Sequence, residues 1–108
     1  MTGSAILDEI WEVIEDRASN PVEGSYTTHI LTHRKGIDKA LEKVGEEATE
    51  FILAVKSQNP TAISSEAADL IYHTFLALKA AGIHPDAVYT ELEARRRPSQ
   101  LAGGFSGK

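Results

Sequence analysis

The sequence predicts an all-α protein whose four main helices pack as an antiparallel bundle, and three observations support this fold class. Apolar residues recur at helical spacing over long segments, and no segment alternates apolar and polar residues as a strand would. Asn59-Pro60 and Pro85 are typical of helix starts, whereas Gly82 is typical of the position just after a helix. The connections between the predicted helices are short, as they are in helical bundles.

The first predicted helix runs from about Ser4 to Arg17 and carries an apolar stripe that includes Trp11. The stretch ASNPVEGS at residues 18–25 should end it, because Asn-Pro and Glu-Gly-Ser favour turns. A short helical turn is expected near Thr27 to His33.

The second predicted helix runs from about Gly36 to Ser57, with its apolar residues on one side and five charged residues on the other. Those charged residues are Lys39, Lys43, Glu46, Glu47 and Glu50. The third helix should span Pro60 to Ala81, and the fourth should begin at Pro85 and end near the arginines at 95–97.

The third predicted helix is apolar around most of its circumference. Its apolar residues include Ile63, Ala67, Leu70, Ile71, Phe75, Leu76 and Leu78. A chain of 108 residues has too little material to cover such a surface by itself. We therefore expect a homodimer.

Composition narrows the class of function. A net charge of -5 argues against a nucleic-acid partner, since binding a phosphate backbone requires a basic excess. The chain contains no cysteine, which excludes disulfides and thiolate zinc sites. No apolar run approaches the length of about 18 residues that spans a membrane, so we expect a cytoplasmic protein without a membrane partner. We expect one domain over residues 1–96 and a flexible tail over 97–108.

Two groups of acidic residues occupy neighbouring helices. Glu66, Asp69 and His73 share one stripe of the third helix, at spacings of three and four residues. If the second and third helices form an antiparallel hairpin, this stripe can meet the glutamates at 46, 47 and 50. Carboxylates removed from water must be paired, protonated or bound to a metal. An all-oxygen site suits magnesium or manganese better than zinc, although solvated acidic faces remain an alternative interpretation.

Lys39 and Lys43 precede the glutamates on the same helix face. They either form ion pairs one turn along the helix, or bind phosphate beside the metal. His73 is more often a structural hydrogen-bonding residue in such a position.

Three runs of sequence resemble the phosphoribosyl-ATP pyrophosphohydrolase family, a branch of the MazG-like, all-α nucleoside triphosphate pyrophosphohydrolases. These runs are GSYTTHILTHRKGIDKALEKVGEEATEFILAVKS, EAADLIYH and ELEARR. The pattern ExxE…ExxD is common to the whole group, whereas the GSYT, KVGEEATE and DLIYH blocks are more specific to the histidine-biosynthesis branch. The resemblance covers about residues 5 to 96 and implies a stand-alone form of the enzyme.

The resemblance implies Mg²⁺-dependent hydrolysis of phosphoribosyl-ATP to phosphoribosyl-AMP and pyrophosphate, with Mn²⁺ as a possible substitute. The residues implied to bind the metal are Glu47, Glu50, Glu66 and Asp69, and Glu46 is the candidate to accept a proton from water. The residues implied to contact the substrate are Lys39, Lys43, Ser25, Tyr26, Thr27, His73 and Arg95. For Ser25, Tyr26 and Thr27, a purely structural role in a loop or helix cap is an equal alternative. Arg95 could equally complement the end of its helix.

Two rival functions remain open at the level of sequence. The same metal site could serve a housekeeping enzyme that clears non-standard nucleoside triphosphates. The chain could also be a non-catalytic dimerisation or regulatory module whose acidic faces are solvated.

Overall fold

The computed structural model describes residues 3–96, in which five α-helices follow one another with short connections. They are α1 (Gly3–Ser19), α2 (Tyr26–Leu31), α3 (Ile37–Ser57), α4 (Pro60–Ala81) and α5 (Pro85–Ala94). These residues contain no strand, so the predicted all-α class is confirmed. The tail predicted for residues 97–108 lies outside the described part of the chain.

Local chemistry at the helix ends explains why most predicted boundaries agree with the structure. The side chain of Asn59 accepts a hydrogen bond from the backbone of Ala62, and Pro60 occupies the first helical position of α4. Gly82 ends α4 in the left-handed conformation at φ 78°, which a glycine adopts without steric cost. His84 caps α5 in the same way that Asn59 caps α4, by accepting from the backbone N–H of Asp86.

Several boundaries differ from the prediction, since α2 ends at Leu31 rather than His33 and α3 begins at Ile37 rather than Gly36. Helix α1 continues to Ser19, because the backbone N–H of Asn20 still donates to the carbonyl of Asp16 at 2.7 Å. The amide side chain of Asn20 also donates to the Asp16 carboxylate at 3.1 Å, which stabilises this last turn. The predicted helical turn near Thr27 is a helix of six residues, and it begins one residue earlier, at Tyr26.

Helices α3 and α4 make the largest helix–helix contact in the described chain. Only Gln58 and Asn59 connect them, so they form an antiparallel helical hairpin. Helices α1 and α2 pack against this hairpin, whereas α5 packs less extensively. The buried core lies between α1, α2, α3 and α4 and comprises Trp11, Ile14, Ile30, Ala40, Phe75 and Leu76.

Several large apolar side chains remain exposed on the hairpin of this single chain. Ile52 and Leu53 on α3 are each 59% exposed, and Ile71 on α4 is 46% exposed. Among residues 3–96, no helix combines the length and the hydrophobicity needed to cross a membrane.

Candidate metal centre

Three carboxylates from the hairpin meet at one point. Glu47 lies on α3, and Glu66 and Asp69 lie one turn apart on α4. One oxygen atom from each carboxylate lies within 4.8 Å of one oxygen from each of the others. The antiparallel hairpin and the helical spacing of the acidic residues together produce this arrangement, as the sequence predicted.

The cluster is electrostatically unfavourable when it holds only anions. The side chain of Glu47 is 14% exposed, and Glu66 is half-buried, so water screens their charges incompletely. Partial desolvation raises the pKa of the Glu66 carboxyl above its usual value, and the negative charges of Asp69, Glu50 and Glu47 raise it further. A cation between the carboxylates would remove this repulsion.

The oxygen spacing and the donor chemistry both fit a small divalent cation. Magnesium binds oxygen ligands at about 2.1 Å, so two oxygens on opposite sides of the ion lie about 4.2 Å apart. Neighbouring ligands of the octahedral ion lie only about 3.0 Å apart, so the three carboxylate oxygens, which lie within 4.8 Å of one another, would move closer together on binding. No nitrogen or sulfur donor belongs to the group found among the described residues, which favours magnesium or manganese over zinc.

Glu50 and Glu46 lie on the same helix as Glu47 but outside the three-carboxylate group. Glu50 is exposed, yet its charge contributes to the raised pKa of Glu66, so it lies within electrostatic range of the cluster. The Glu46 carboxylate accepts a hydrogen bond from the Lys43 ammonium at 2.9 Å. Consecutive helical residues are rotated by about 100°, so Glu46 projects to one side of Glu47, and the Lys43 ammonium lies between the two.

Lys39 and Lys43 form the short-range ion pairs that one sequence interpretation predicted. The Lys43 ammonium lies 3.9 Å from the Glu47 carboxylate in addition to its contact with Glu46. The Lys39 ammonium lies 3.7 Å from the carboxylate of Glu42. Both lysine side chains are less than one quarter exposed. The contact between Lys43 and Glu47 places a positive charge directly beside the carboxylate cluster.

His73 is buried and connects α4 to α2. Its Nδ1 lies 2.7 Å from the backbone carbonyl of Asp69, which can only accept, so Nδ1 carries the proton. Neutral His73 then accepts at Nε2 from the hydroxyl of Tyr26, at 2.8 Å. His73 lies one helical turn after the cluster residue Asp69 and holds the Tyr26 hydroxyl. This hydrogen bonding is the structural role that the sequence suggested for His73.

Ser25 and Thr27 form structural hydrogen bonds, whereas Tyr26 is exposed. Ser25 caps α2, because its hydroxyl accepts from the backbone N–H of Thr28 at 3.2 Å. Thr27 is buried, and its hydroxyl hydrogen-bonds to the hydroxyl of Tyr72, a contact that the sequence did not suggest. Tyr26 is 44% exposed; partial desolvation raises the pKa of its hydroxyl, while the nearby Lys43 ammonium opposes that shift.

Arg95 occupies the C-terminal cap of α5. Its guanidinium contacts the carboxylate of Glu91, one turn earlier on the same helix, at 2.9 Å. This contact agrees with the alternative in which Arg95 stabilises the end of its helix. A contact between Arg95 and a substrate phosphate stays a prediction.

Comparison with known proteins gives a consistent family. A family model described as phosphoribosyl-ATP pyrophosphohydrolase matches residues 7–96, which include all the cluster residues. A phosphoribosyl-ATP pyrophosphatase of Methanosphaerula palustris is 58% identical over 97 residues, covering 90% of this chain and 98% of the relative. The phosphoribosyl-ATP pyrophosphatase of Methanoculleus marisnigri is 59% identical over 92 residues, covering 85% of this chain and 95% of the relative. The phosphoribosyl-ATP pyrophosphatase of Clostridium acetobutylicum is 45% identical over 95 residues, covering 88% of this chain and 84% of the relative.

Proposed function

The chain belongs to the phosphoribosyl-ATP pyrophosphohydrolase family, and from this we propose that it hydrolyses phosphoribosyl-ATP to phosphoribosyl-AMP and pyrophosphate. This reaction is the second step of histidine biosynthesis. The proposal rests on one structural observation: the carboxylates of Glu47, Glu66 and Asp69 come close enough together to bind one divalent cation.

Glu47, Glu66 and Asp69 would hold Mg²⁺, with Mn²⁺ as a possible substitute, and Glu50, whose charge acts on Glu66, would be a further ligand. When bound, Mg²⁺ supplies electrostatic stabilisation of the negative charge that develops on a pyrophosphate leaving group. The structural support for this assignment is the proximity of the three carboxylates, and partial desolvation together with their mutual repulsion raises the pKa of Glu66.

Glu46 is our candidate to accept the proton of the attacking water. Its carboxylate stands outside the three-carboxylate group and remains accessible to solvent, with 58% of its side chain exposed. A carboxylate that is not neutralised by a metal keeps its capacity to accept a proton. The hydrogen bond from Lys43 engages Oε1 of Glu46 and leaves Oε2 to accept a proton, and a substrate phosphate is a suitable additional partner for the Lys43 ammonium.

The remaining predicted contacts lie around this centre. Lys39 and Lys43 would bind substrate phosphates from the same face of α3. The Tyr26 ring, held by His73, would form one wall of the substrate site, while Ser25 and Thr27 maintain the backbone that carries it. Arg95 would add a charge from the end of α5. A cytoplasmic location and the absence of nucleic-acid and membrane partners accord with a biosynthetic enzyme acting on a small molecule.

We expect the purified protein to convert phosphoribosyl-ATP to phosphoribosyl-AMP and pyrophosphate in the presence of Mg²⁺, and to stop when the metal is chelated. Chromatography of the nucleotides together with a pyrophosphate assay would measure both products. Release of single orthophosphates instead of pyrophosphate would contradict the proposed bond cleavage. Failure of calorimetry to detect Mg²⁺ binding would favour the non-catalytic module with solvated acidic faces.

We further propose that the four main helices form an antiparallel bundle that assembles as a homodimer through apolar faces of α3 and α4. Ile52, Leu53 and Ile71 lie exposed on these helices in the single chain, and their burial would provide the driving force. Light scattering at micromolar concentration should give twice the chain mass of 11.7 kDa.

Leu53→Glu should shift the protein toward the monomer, because a charge would have to be buried in the dimer. Val13→Glu on α1, at a site with 48% exposure, is the matched control and should remain dimeric. A monomeric wild-type protein would contradict the assembly.

A further inference from the structure

Four basic residues surround the connection between α2 and α3. This group, the basic turn, consists of His29, His33, Arg34 and Lys35. The backbone N–H of Gly36 donates to the carbonyl of His33 at 2.9 Å, and Gly36 adopts φ 63°. A glycine tolerates this left-handed conformation, which lets the chain reverse within a few residues. The tight reversal brings side chains from both ends of the turn together.

His33 lies at the centre of the basic turn. Its ring centroid is 5.3 Å from that of His29, and its Nδ1 accepts from the backbone N–H of Lys35 at 3.1 Å. Neutral His33 therefore carries its proton on Nε2, which leaves one N–H donor on the outer edge of the ring. Partial desolvation lowers the pKa of His33, and the positive charges of Lys39, His29, Lys35 and Arg34 lower it further.

Negative charge compensates the basic turn only in part. Glu42 pairs with Lys35 at 2.8 Å and with Lys39 at 3.7 Å. The negative charges of Asp38 and Glu46 help to raise the pKa of Lys35, but among the described ion pairs neither residue is paired with it. Within the part of the chain that the structure describes, no carboxylate forms an ion pair with Arg34. The guanidinium of Arg34 and the outer N–H of His33 are thus available to an anion.

The basic turn is too far from the carboxylate cluster to serve the same phosphate. Lys39 precedes Glu47 by eight residues on α3, which corresponds to about 12 Å along the helix axis. The basic turn lies beyond Lys39, at the start of the same helix. The phosphates on either side of the cleaved bond share one bridging oxygen and must both lie near the cluster. An anion at the basic turn therefore belongs to another part of the substrate.

Building on the proposed function, we propose that the basic turn and Lys39 bind the phosphate of the additional ribosyl group of phosphoribosyl-ATP. This phosphate is attached across the adenine from the triphosphate, so the two anionic ends of the molecule are separated by two riboses and a base. ATP carries the triphosphate but lacks the second phosphate. The basic turn thereby determines which of the two nucleotides is preferred.

The chemistry of the two available donors suits a terminal phosphate. A guanidinium can donate two parallel hydrogen bonds to neighbouring phosphate oxygens, with a geometry that an ammonium cannot match. The outer N–H of His33 supplies a further donor whether the ring is neutral or protonated. Lys39, with 23% of its side chain exposed, contributes charge from the side of the carboxylate cluster.

The test compares kcat/KM for phosphoribosyl-ATP and for ATP in wild type and variants. Arg34→Ala should reduce the ratio of the two values by about 30-fold or more through loss of charged hydrogen bonds. His33→Asn should also reduce it, since the asparagine oxygen can still accept from Lys35 while the outer donor is lost. Arg34→Lys should recover part of the ratio because it restores the charge. Lys56→Ala removes an exposed charge from the opposite end of α3 and should keep the wild-type ratio.

Each other outcome has a distinct meaning. An equal loss on both nucleotides in Arg34→Ala would assign the basic turn to the triphosphate and overturn the inference. An unchanged ratio in a variant with a native circular dichroism spectrum would overturn it as well. A wild-type enzyme that does not prefer phosphoribosyl-ATP would overturn the proposed function itself, and the inference with it.

Discussion

Replacement of Glu47 by glutamine or of Asp69 by asparagine is expected to reduce hydrolysis of phosphoribosyl-ATP by about 10³-fold or more. Loss of groups that merely orient metal ligands costs about 10- to 100-fold, so loss of a ligand should cost more. An amide has nearly the size of the carboxylate but lacks its negative charge. The fold should therefore persist while the affinity for the cation falls.

Thermal unfolding separates this effect from misfolding. Without metal, both variants should unfold at the same temperature as wild type or higher, because one of the repelling charges in the cluster has been removed. Addition of Mg²⁺ should raise the unfolding temperature of wild type but much less that of the variants. Glu12→Gln, an equivalent change at an exposed position of α1, should behave as wild type. Near-normal turnover of both cluster variants at saturating Mg²⁺ would refute the metal assignment.

A preference for phosphoribosyl-ATP over ATP of several orders of magnitude in kcat/KM is the second large effect that we expect. Both nucleotides present the same triphosphate to the carboxylate cluster, so only contacts to the additional ribosyl phosphate can discriminate between them. Truncation of a charged contact in a desolvated site costs about 2 to 5 kcal/mol, and about 1.4 kcal/mol corresponds to tenfold. Two such contacts are enough to produce the preference.

The structure narrows the set of residues that could supply those contacts. The Ser25 hydroxyl caps α2 by accepting a hydrogen bond, and the Thr27 hydroxyl is bonded to that of Tyr72, so both side chains have a structural contact and their contacts to a phosphate stay predictions. Lys39 and Arg95 are the charged residues of the sequence-based set, beside the basic turn, and Arg95→Ala should lower the preference if its guanidinium exchanges Glu91 for substrate. Parallel assays with phosphoribosyl-ATP, ATP, dUTP and dCTP would measure the effect. Equally efficient cleavage of ATP or dUTP would favour the housekeeping enzyme.

The sequence predicted those features that depend on short stretches of chain. The limits of α4 are set locally. The Asn59 side chain caps the first turn, and the left-handed backbone of Gly82 ends the last one. The approach of Glu47 to Asp69 follows from helical periodicity and a two-residue connection between the helices. The predicted homodimer and the ligand role of Glu50 stay predictions.

Features that depend on packing between distant segments were not predictable from the pattern. The bond between Tyr26 and His73 joins residues 47 positions apart, and it exists only because α2 packs against α4. The bond between Thr27 and Tyr72 has the same origin. The end of α1 was also not predicted, although its cause is local: Asn20 donates from its backbone N–H to the Asp16 carbonyl and from its side-chain amide to the Asp16 carboxylate.

All three cluster carboxylates come from one helical hairpin, and this affects the expected order of folding. Glu47 and Glu66 are separated by 19 positions, so bringing them together closes a short segment at small entropic cost. Contacts of such low sequence separation form quickly relative to those that join distant segments. We therefore expect the repelling carboxylates to meet before α1 docks against the hairpin. A divalent cation available at that stage would favour the nascent hairpin and so couple metal supply to the rate at which the chain matures.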